Sequence, residues 1–204
     1  MFWERSRSPF CNNRLPFRND RGATLARVSA LRKRFTFWLF MLTGKAVLGF
    51  DPEKDGVEGL KKLVRERFPE VRHLRAAELD AWLADPNRPQ PQIIDVRTPD
   101  EFSLSRLPGA RRVDPEEDGP TINSLVAANR PFVLYCAVGF RSSKLARRLM
   151  DAGMRDVFSL EGAIFQWANE GRPLVDGDGP VAKVHPYSDR WAALLKPEVR
   201  GVVD

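Results

Sequence analysis

Two cysteines and two histidines are all that the 204 residues offer to a disulfide framework or a metal site. Cys11, His73, Cys136 and His185 match no zinc spacing, so a structural metal is not expected and a disulfide scaffold is excluded. The apolar run at 35–43 is too short for a bilayer, where about 20 residues are needed. With 43% hydrophobic and 29% charged residues, 16 Pro and 14 Gly, collagen-like, coiled-coil and wholly disordered compositions are also absent. At roughly 100–200 residues per domain, the length allows one domain with extensions or two small ones.

Acidic residues are scarce only at the start. Residues 1–40 carry nine Arg or Lys against Glu4 and Asp20, a balance of +7, while the whole chain stands at +6. The other 164 residues hold 24 basic and 25 acidic side chains. The excess charge therefore belongs to one N-terminal segment, and nothing in the body points to nucleic acid. Residues 1–50 read as a dispensable basic extension, with Met41 as an alternative natural start. A targeting leader and a peripheral membrane anchor through residues 35–50 are the other readings. A transit peptide would make the protein organellar; otherwise a cytoplasmic protein is expected, since a reactive thiol suits a reducing compartment.

From residue 51 the pattern becomes regular. Val57, Leu60, Val64 and Phe68 recur at helical spacing within a leading helix placed at 51–69, which Pro69 ends. Strands are expected at 71–74, 93–96, 110–113, 131–135 and 156–160. Helices are expected at 76–84, after Pro99, at 121–128, 142–152 and 163–169. In the helix at 76–84, Leu79, Trp82 and Leu83 should point inward; in that at 142–152, Leu145, Leu149 and Met150 should, with Lys144, Arg147 and Arg148 on a solvated face. Short apolar strands alternating with short helices predict an α/β domain at 70–176 around a parallel sheet covered on both faces. The tail at 177–204 opens on a D-G-D-G-P stretch that reads as a flexible linker. A short helix at 188–195 follows, capped by Ser188, with Trp191, Leu194 and Leu195 as the stripe that docks on this domain or on a second subunit.

In parallel sheets ligands bind beyond the carboxyl ends of the strands. The residue after the strongest strand is Cys136, followed by Ala137, Val138, Gly139, Phe140, Arg141 and Ser142. A cysteine leaving a buried strand into a short loop and a helix start meets several backbone N–H groups and the positive helix end, an arrangement that stabilises a thiolate. Gly139 permits a left-handed turn. Arg141 adds a permanent charge, and Ser142 serves as a helix cap or a donor to the sulfur. A lone buried cysteine is ordinarily just a small hydrophobe; here the surrounding pattern outweighs that reading. Asp95 and Arg97, at the end of another strong strand, either flank the pocket or brace the loop as an internal pair.

The segment resembles the active-site loop of rhodanese-like sulfurtransferases. The run Ile93-Ile94-Asp95-Val96-Arg97, with Glu101-Phe102 after it, looks like the family's D-V-R…E-F block. Leu107-Pro108-Gly109-Ala110 looks like its I-P-G-A element. Leu160-Glu161-Gly162-Ala163, then Trp167, Gly171 and Pro173, looks like its closing block. The resemblance implies a small parallel five-stranded sheet with helices on both faces. It also implies sulfur transfer without a cofactor: Cys136 as nucleophile, and the loop from Ala137 to Ser142 holding a persulfide with Arg141 as the main charged contact. The implied partners are a sulfane-sulfur donor such as thiosulfate or a persulfide, and a thiol, cyanide or protein acceptor.

Four positions depart from the pattern. Ala137 stands where Arg or Lys is common, which lowers the expected affinity for a dianion and suggests that Ala137→Arg raises it. Ser105-Arg106 replaces a Gly-His pair, and Ala163 replaces a second Gly. A cysteine phosphatase or arsenate reductase would use C-x5-R, one residue longer than the C-x4-R found here. A non-catalytic binding or regulatory module is the remaining alternative. His73 and His185 sit in no motif and read as packing or surface residues. The sequence does not determine the oligomeric state.

Overall fold

The computed structural model describes residues 50–116 and 130–202, all within one unit, Gly49–Asp204. The expectations for residues 1–49 and for a helix at 121–128 lie outside these residues. The chain runs α1 (Pro52–Arg67), β1 (Arg72–Leu74), α2 (Ala76–Ala84), β2 (Gln92–Asp95), α3 (Pro99–Leu104), β3 (Arg111–Arg112) and β4 (Phe132–Tyr135). It continues through α4 (Phe140–Asp151), β5 (Val157–Leu160), α5 (Ala163–Asn169), β6 (Leu174–Val175), β7 (Pro180–Val181) and α6 (Asp189–Ala192) to a 3-10 turn, Pro197–Val199.

The unbroken apolar run Phe132-Val133-Leu134-Tyr135 makes β4 the middle strand, and all four residues are fully buried. A strand buried on both faces has no polar alternation to keep. β4 pairs in parallel with β2 and β5, and the five strands lie in the order β1-β5-β4-β2-β3, every pairing parallel. The fold is the parallel α/β sheet expected from the alternation of strands and helices.

Helix α1 starts on Asp51, whose side chain accepts from Glu53 N, and it breaks at Gly56 (φ 58°, ψ −164°) before running to Arg67. Leu60, Val64 and Phe68 are buried, whereas Val57 is only half-buried. Helix α2 buries Leu79 and Trp82, but Leu83 faces solvent because it lies on the neighbouring face of the same turn. In α4 Leu145 and Leu149 are buried and Met150 is half-buried. Its basic residues are not a free solvated face. Lys144 pairs with Glu116 and Arg147 with Glu70, while Arg148 donates to the Pro115 carbonyl.

The D-G-D-G stretch is not a flexible linker. Asp176 accepts from Asp178 N at 2.7 Å and Gly179 N at 2.9 Å, closing a turn that joins β6 to antiparallel β7. The tail then returns to its own domain. Trp191, Leu194 and Leu195 are buried, and Asn169 holds both Leu194 O and Lys196 N. Ser188 occupies the N-cap of α6 without a side-chain capping bond, and its backbone carbonyl receives Trp191 N and Ala192 N. Trp191 stacks on Phe50 at 6.0 Å, and Arg190 donates to Phe50 O, so the tail meets the segment that leads into α1.

Candidate active site

Cys136 leaves β4 at its carboxyl end, with the sulfur side chain 1% exposed. The chain turns through Ala137 and Val138 to Gly139, which sits in the left-handed region (φ 100°) and is the N-cap of α4. The helix therefore begins at Phe140, two residues before the expected start, and Ser142 lies inside its first turn rather than capping it. This turn aims Gly139 N–H at Cys136 Sγ at 3.0 Å. From the far side, Ile164 N and Phe165 N donate to Cys136 O and Ala137 O, both at 3.2 Å. Gly162 (φ 68°) caps the helix that carries these donors, and a Cβ there would lie 2.5 Å from Gln166 Cβ. Ala163, in the place of a second Gly, also adopts a positive φ of 50°.

The side chains around the loop are mostly committed to one another. Arg141 donates from Nη1 to Glu101 Oε2 at 2.9 Å and from Nη2 to Glu101 Oε1 at 2.8 Å, with both residues buried. Burial alone would push the Glu101 carboxyl up, but the Arg141 guanidinium overrides it and holds it at about 2. Against the same desolvation, Glu101 keeps Arg141 firmly charged, and the Cys136 sulfur adds to that effect. Arg141 is thus half of a buried ion pair. Glu101 itself is fixed by the α3 capping box, where it accepts from Thr98 N at 3.0 Å.

Asp95 and Arg97 make an internal brace of their own. They form a fully buried pair, Arg97 Nη2 to Asp95 Oδ2 at 2.7 Å, and Arg97 also donates to Ser105 O. The Tyr135 ring lies 5.6 Å from the Arg97 guanidinium, and its hydroxyl accepts from Leu107 N at 3.2 Å. Burial pushes the Tyr135 phenol well above its ordinary value, with the Asp95 carboxylate reinforcing the shift. The Ser105-Arg106 substitution belongs to this brace. Ser105 supplies a carbonyl to Arg97, and Arg106 pairs with Val175 through its backbone at 2.8 and 2.9 Å.

Two segments outside the motif blocks cover the loop. The position that a Cβ on Gly139 would take lies 3.6 Å from Val64 Cγ1 of α1, and Phe68 meets Phe140 edge-on at 5.7 Å. From the tail, the Tyr187 ring lies 5.2 Å from the Arg141 guanidinium. Tyr187 holds a positive φ of 68°, and its N–H donates to His185 Nδ1 at 2.9 Å. Burial raises the Tyr187 phenol above its ordinary value, Arg141 opposes the shift, and Glu101 and Cys136 add to it. Ala137 is buried, so an arginine there has no ready space. Trp167 is core, donating to Pro173 O, and His73 packs against Phe68 O.

Glu101, Ser143, Ser159, Val64 and Tyr187 were not singled out as site residues from the sequence. One signal was available for Ser159, a hydroxyl in the otherwise apolar run Val157-Phe158-Ser159-Leu160. Among the described residues no group of His, Cys, Asp and Glu is gathered to hold a metal.

The rhodanese-like domain family matches residues 75–170. A sulfurtransferase from Allochromatium vinosum is 34% identical over 87 residues, covering 43% of this chain and 80% of that protein. The thiosulfate sulfurtransferase GlpE of Pseudomonas paraeruginosa is 30% identical over 78 residues, covering 37% of this chain and 68% of that one. Among solved structures, a rhodanese-like domain protein from Staphylococcus aureus is 25% identical with a TM-score of 0.41, covering 53% of this chain and 96% of the other. The Allochromatium sulfurtransferase is matched along four-fifths of its length at about one residue in three, and on that relation the chain belongs to the rhodanese-like domain family.

Proposed function

We propose that this protein is a sulfurtransferase that carries sulfur as a persulfide on Cys136. The observation that supports this most is the Gly139 N–H aimed at Cys136 Sγ from 3.0 Å at the mouth of the middle strand. A donor fixed at that point favours an anionic sulfur over a neutral one. In the first step the Cys136 thiolate attacks the outer sulfur of a donor such as thiosulfate. A Cys136–sulfur bond forms, the donor's own S–S bond breaks, and sulfite leaves with the bonding pair. In the second step an acceptor thiolate or cyanide attacks the outer sulfur of the persulfide, and Cys136 departs as a thiolate. Neither displacement calls for a metal or an organic cofactor, and splitting the transfer in two is ordinary covalent catalysis.

The sulfurtransferase names of the relatives support the same class. The Glu101–Arg141 pair bears on the donor. With the guanidinium occupied and Ala137 uncharged, the loop offers backbone donors and little net positive charge, which suits a monoanionic persulfide better than a dianion. One observation favours a second reading, a binding or regulatory module: the 1% exposure of Cys136 under α1 and the tail.

The two readings separate by intact mass. The full chain, reduced, is exposed to thiosulfate or to glutathione persulfide beside a Cys136→Ser variant. A gain of one sulfur that cyanide or a thiol removes, absent from the variant, is the expected result. Failure of both donors to load the folded, reduced protein would overturn the enzyme reading in favour of the binding module.

A further inference from the structure

Three buried hydroxyls lie behind the sulfur, and their protons can be placed by counting. Ser142 and Ser143 stand in the first turn of α4, and Ser159 stands in β5, opposite Leu134 of β4. All three are 1% exposed or less. Ser143 Oγ donates to Ser159 Oγ at 3.1 Å, and Ser142 Oγ and Ser159 Oγ are 2.9 Å apart. Ser142 Oγ also lies 3.1 Å from Gly139 O and 3.8 Å from Cys136 Sγ.

Each hydroxyl has one proton and two lone pairs. Ser143 spends its proton on Ser159. If Ser142 also donated to Ser159, the Ser159 proton would be left without a hydrogen-bond acceptor in this cluster. The assignment that places every proton runs one way, from Ser143 to Ser159 to Ser142, and leaves the Ser142 proton for Gly139 O or Cys136 Sγ. The carbonyl is the nearer acceptor for a neutral thiol. A charged sulfur competes better, because hydrogen bonds to ionised acceptors are about twice as strong as neutral ones. Successive hydroxyls donating in one direction also polarise one another. Packing alone does not explain a serine in the middle of a fully buried strand, where a hydroxyl is costly unless it is bonded.

We propose that Ser159 is a positioning residue that turns the Ser142 proton toward Cys136, so that the Ser143–Ser159–Ser142 chain donates to the sulfur whenever that sulfur is anionic. The proposal rests on the reading of Cys136 as the reacting thiol. It gives the sulfur a side-chain donor in addition to Gly139 N–H, one that relaxes back onto Gly139 O when the charge is gone.

The test is the pH dependence of Cys136 alkylation by iodoacetamide in the full chain, read by peptide mass so that Cys11 is scored separately. Wild type is compared with Ser159→Ala, Ser159→Thr and Ser143→Ala. Ser159→Ala should lower the rate near neutral pH by about three- to tenfold and displace the pH profile toward alkaline values. Ser143→Ala should give a smaller change of the same sign, and Ser159→Thr, which keeps the hydroxyl, should restore the wild-type profile. An unchanged profile in folded Ser159→Ala would overturn the proposal, as would an equal loss in folded Ser159→Thr, which would assign the effect to packing. Should Ser159→Ala fail to fold, an unchanged Ser143→Ala profile overturns it by itself. Alkylation needs no sulfur donor, so a wild type that never loads sulfur defeats the sulfurtransferase reading while leaving this one open to measurement.

Discussion

Glu101 takes both outer nitrogens of Arg141, at 2.9 and 2.8 Å, across 40 residues of chain. The Arg141 guanidinium is thereby fixed in place with its charge offset. In the proposed reaction, the groups left to meet an incoming anion are the oriented backbone of the loop, the hydroxyl of Ser142 and the positive end of α4.

Removing the Glu101 charge should expose how much the pair holds. Glu101→Gln leaves a buried guanidinium without its counter-ion and should cost about 3–5 kcal/mol. The wild-type contribution is fully present above the ordinary carboxyl value of 4.5 and is lost as pH falls from there through about 2, where the folded-state group titrates. Thermal unfolding from pH 7 down to acid should therefore show the gap between wild type and variant narrowing below about 4.5. A gap that stays constant across that window would contradict the assignment.

The turn at Gly162 supports the loop from behind, and its tolerance is small. Gly162→Ala places a Cβ 2.5 Å from Gln166 Cβ at a positive φ of 68°. The expected loss is about 2–4 kcal/mol, from left-handed backbone strain plus overpacking. Urea denaturation measures it; a loss below about 1 kcal/mol would mean that the turn relaxes freely.

Tyr187 should act as a cover. Tyr187→Ala is expected to raise the rate at which a bulky maleimide reaches Cys136 several-fold, with a smaller change for iodoacetamide. Tyr187→Phe, which keeps the ring over Arg141, should behave as wild type. Equal rates for all three proteins with the bulky reagent would show that the sulfur is reached from another side.

Ala137→Arg should disappoint as a route to tighter thiosulfate binding. Ala137 is buried, and forcing a long charged side chain into that space should cost at least about 1–3 kcal/mol. A falling melting temperature with no gain in thiosulfate half-saturation is the expected outcome. A variant that keeps its melting temperature and saturates at lower thiosulfate would show that the loop opens onto this position.

The sheet and the cysteine were legible because their signals are local. A strand buried on both faces must be apolar throughout, and Phe132-Val133-Leu134-Tyr135 is, so the residue that follows it marks the carboxyl edge of the sheet. Helices α2 and α5 have the bounds that their periodicity predicts. The start of α4 was misplaced because Gly139 caps through its left-handed backbone, which carries no side-chain signal. The D-G-D-G stretch was misread because Asp176 can solvate a turn from within. Partnerships across the chain were hidden altogether: nothing near Arg141 announces Glu101, and nothing near Gly139 announces Val64 or Tyr187. Those pairings arise only when the sheet brings distant segments to one edge.

The contact between Phe50 and the tail joins residues 140 positions apart. Contacts of such long sequence separation form late, because the loop they close must be ordered first. During synthesis β2, β4 and α4 are made before Tyr187, so the loop precedes the part of the tail that lies against Arg141. Folding order thus leaves the cover over Cys136 to the last, after the sheet that carries the thiol.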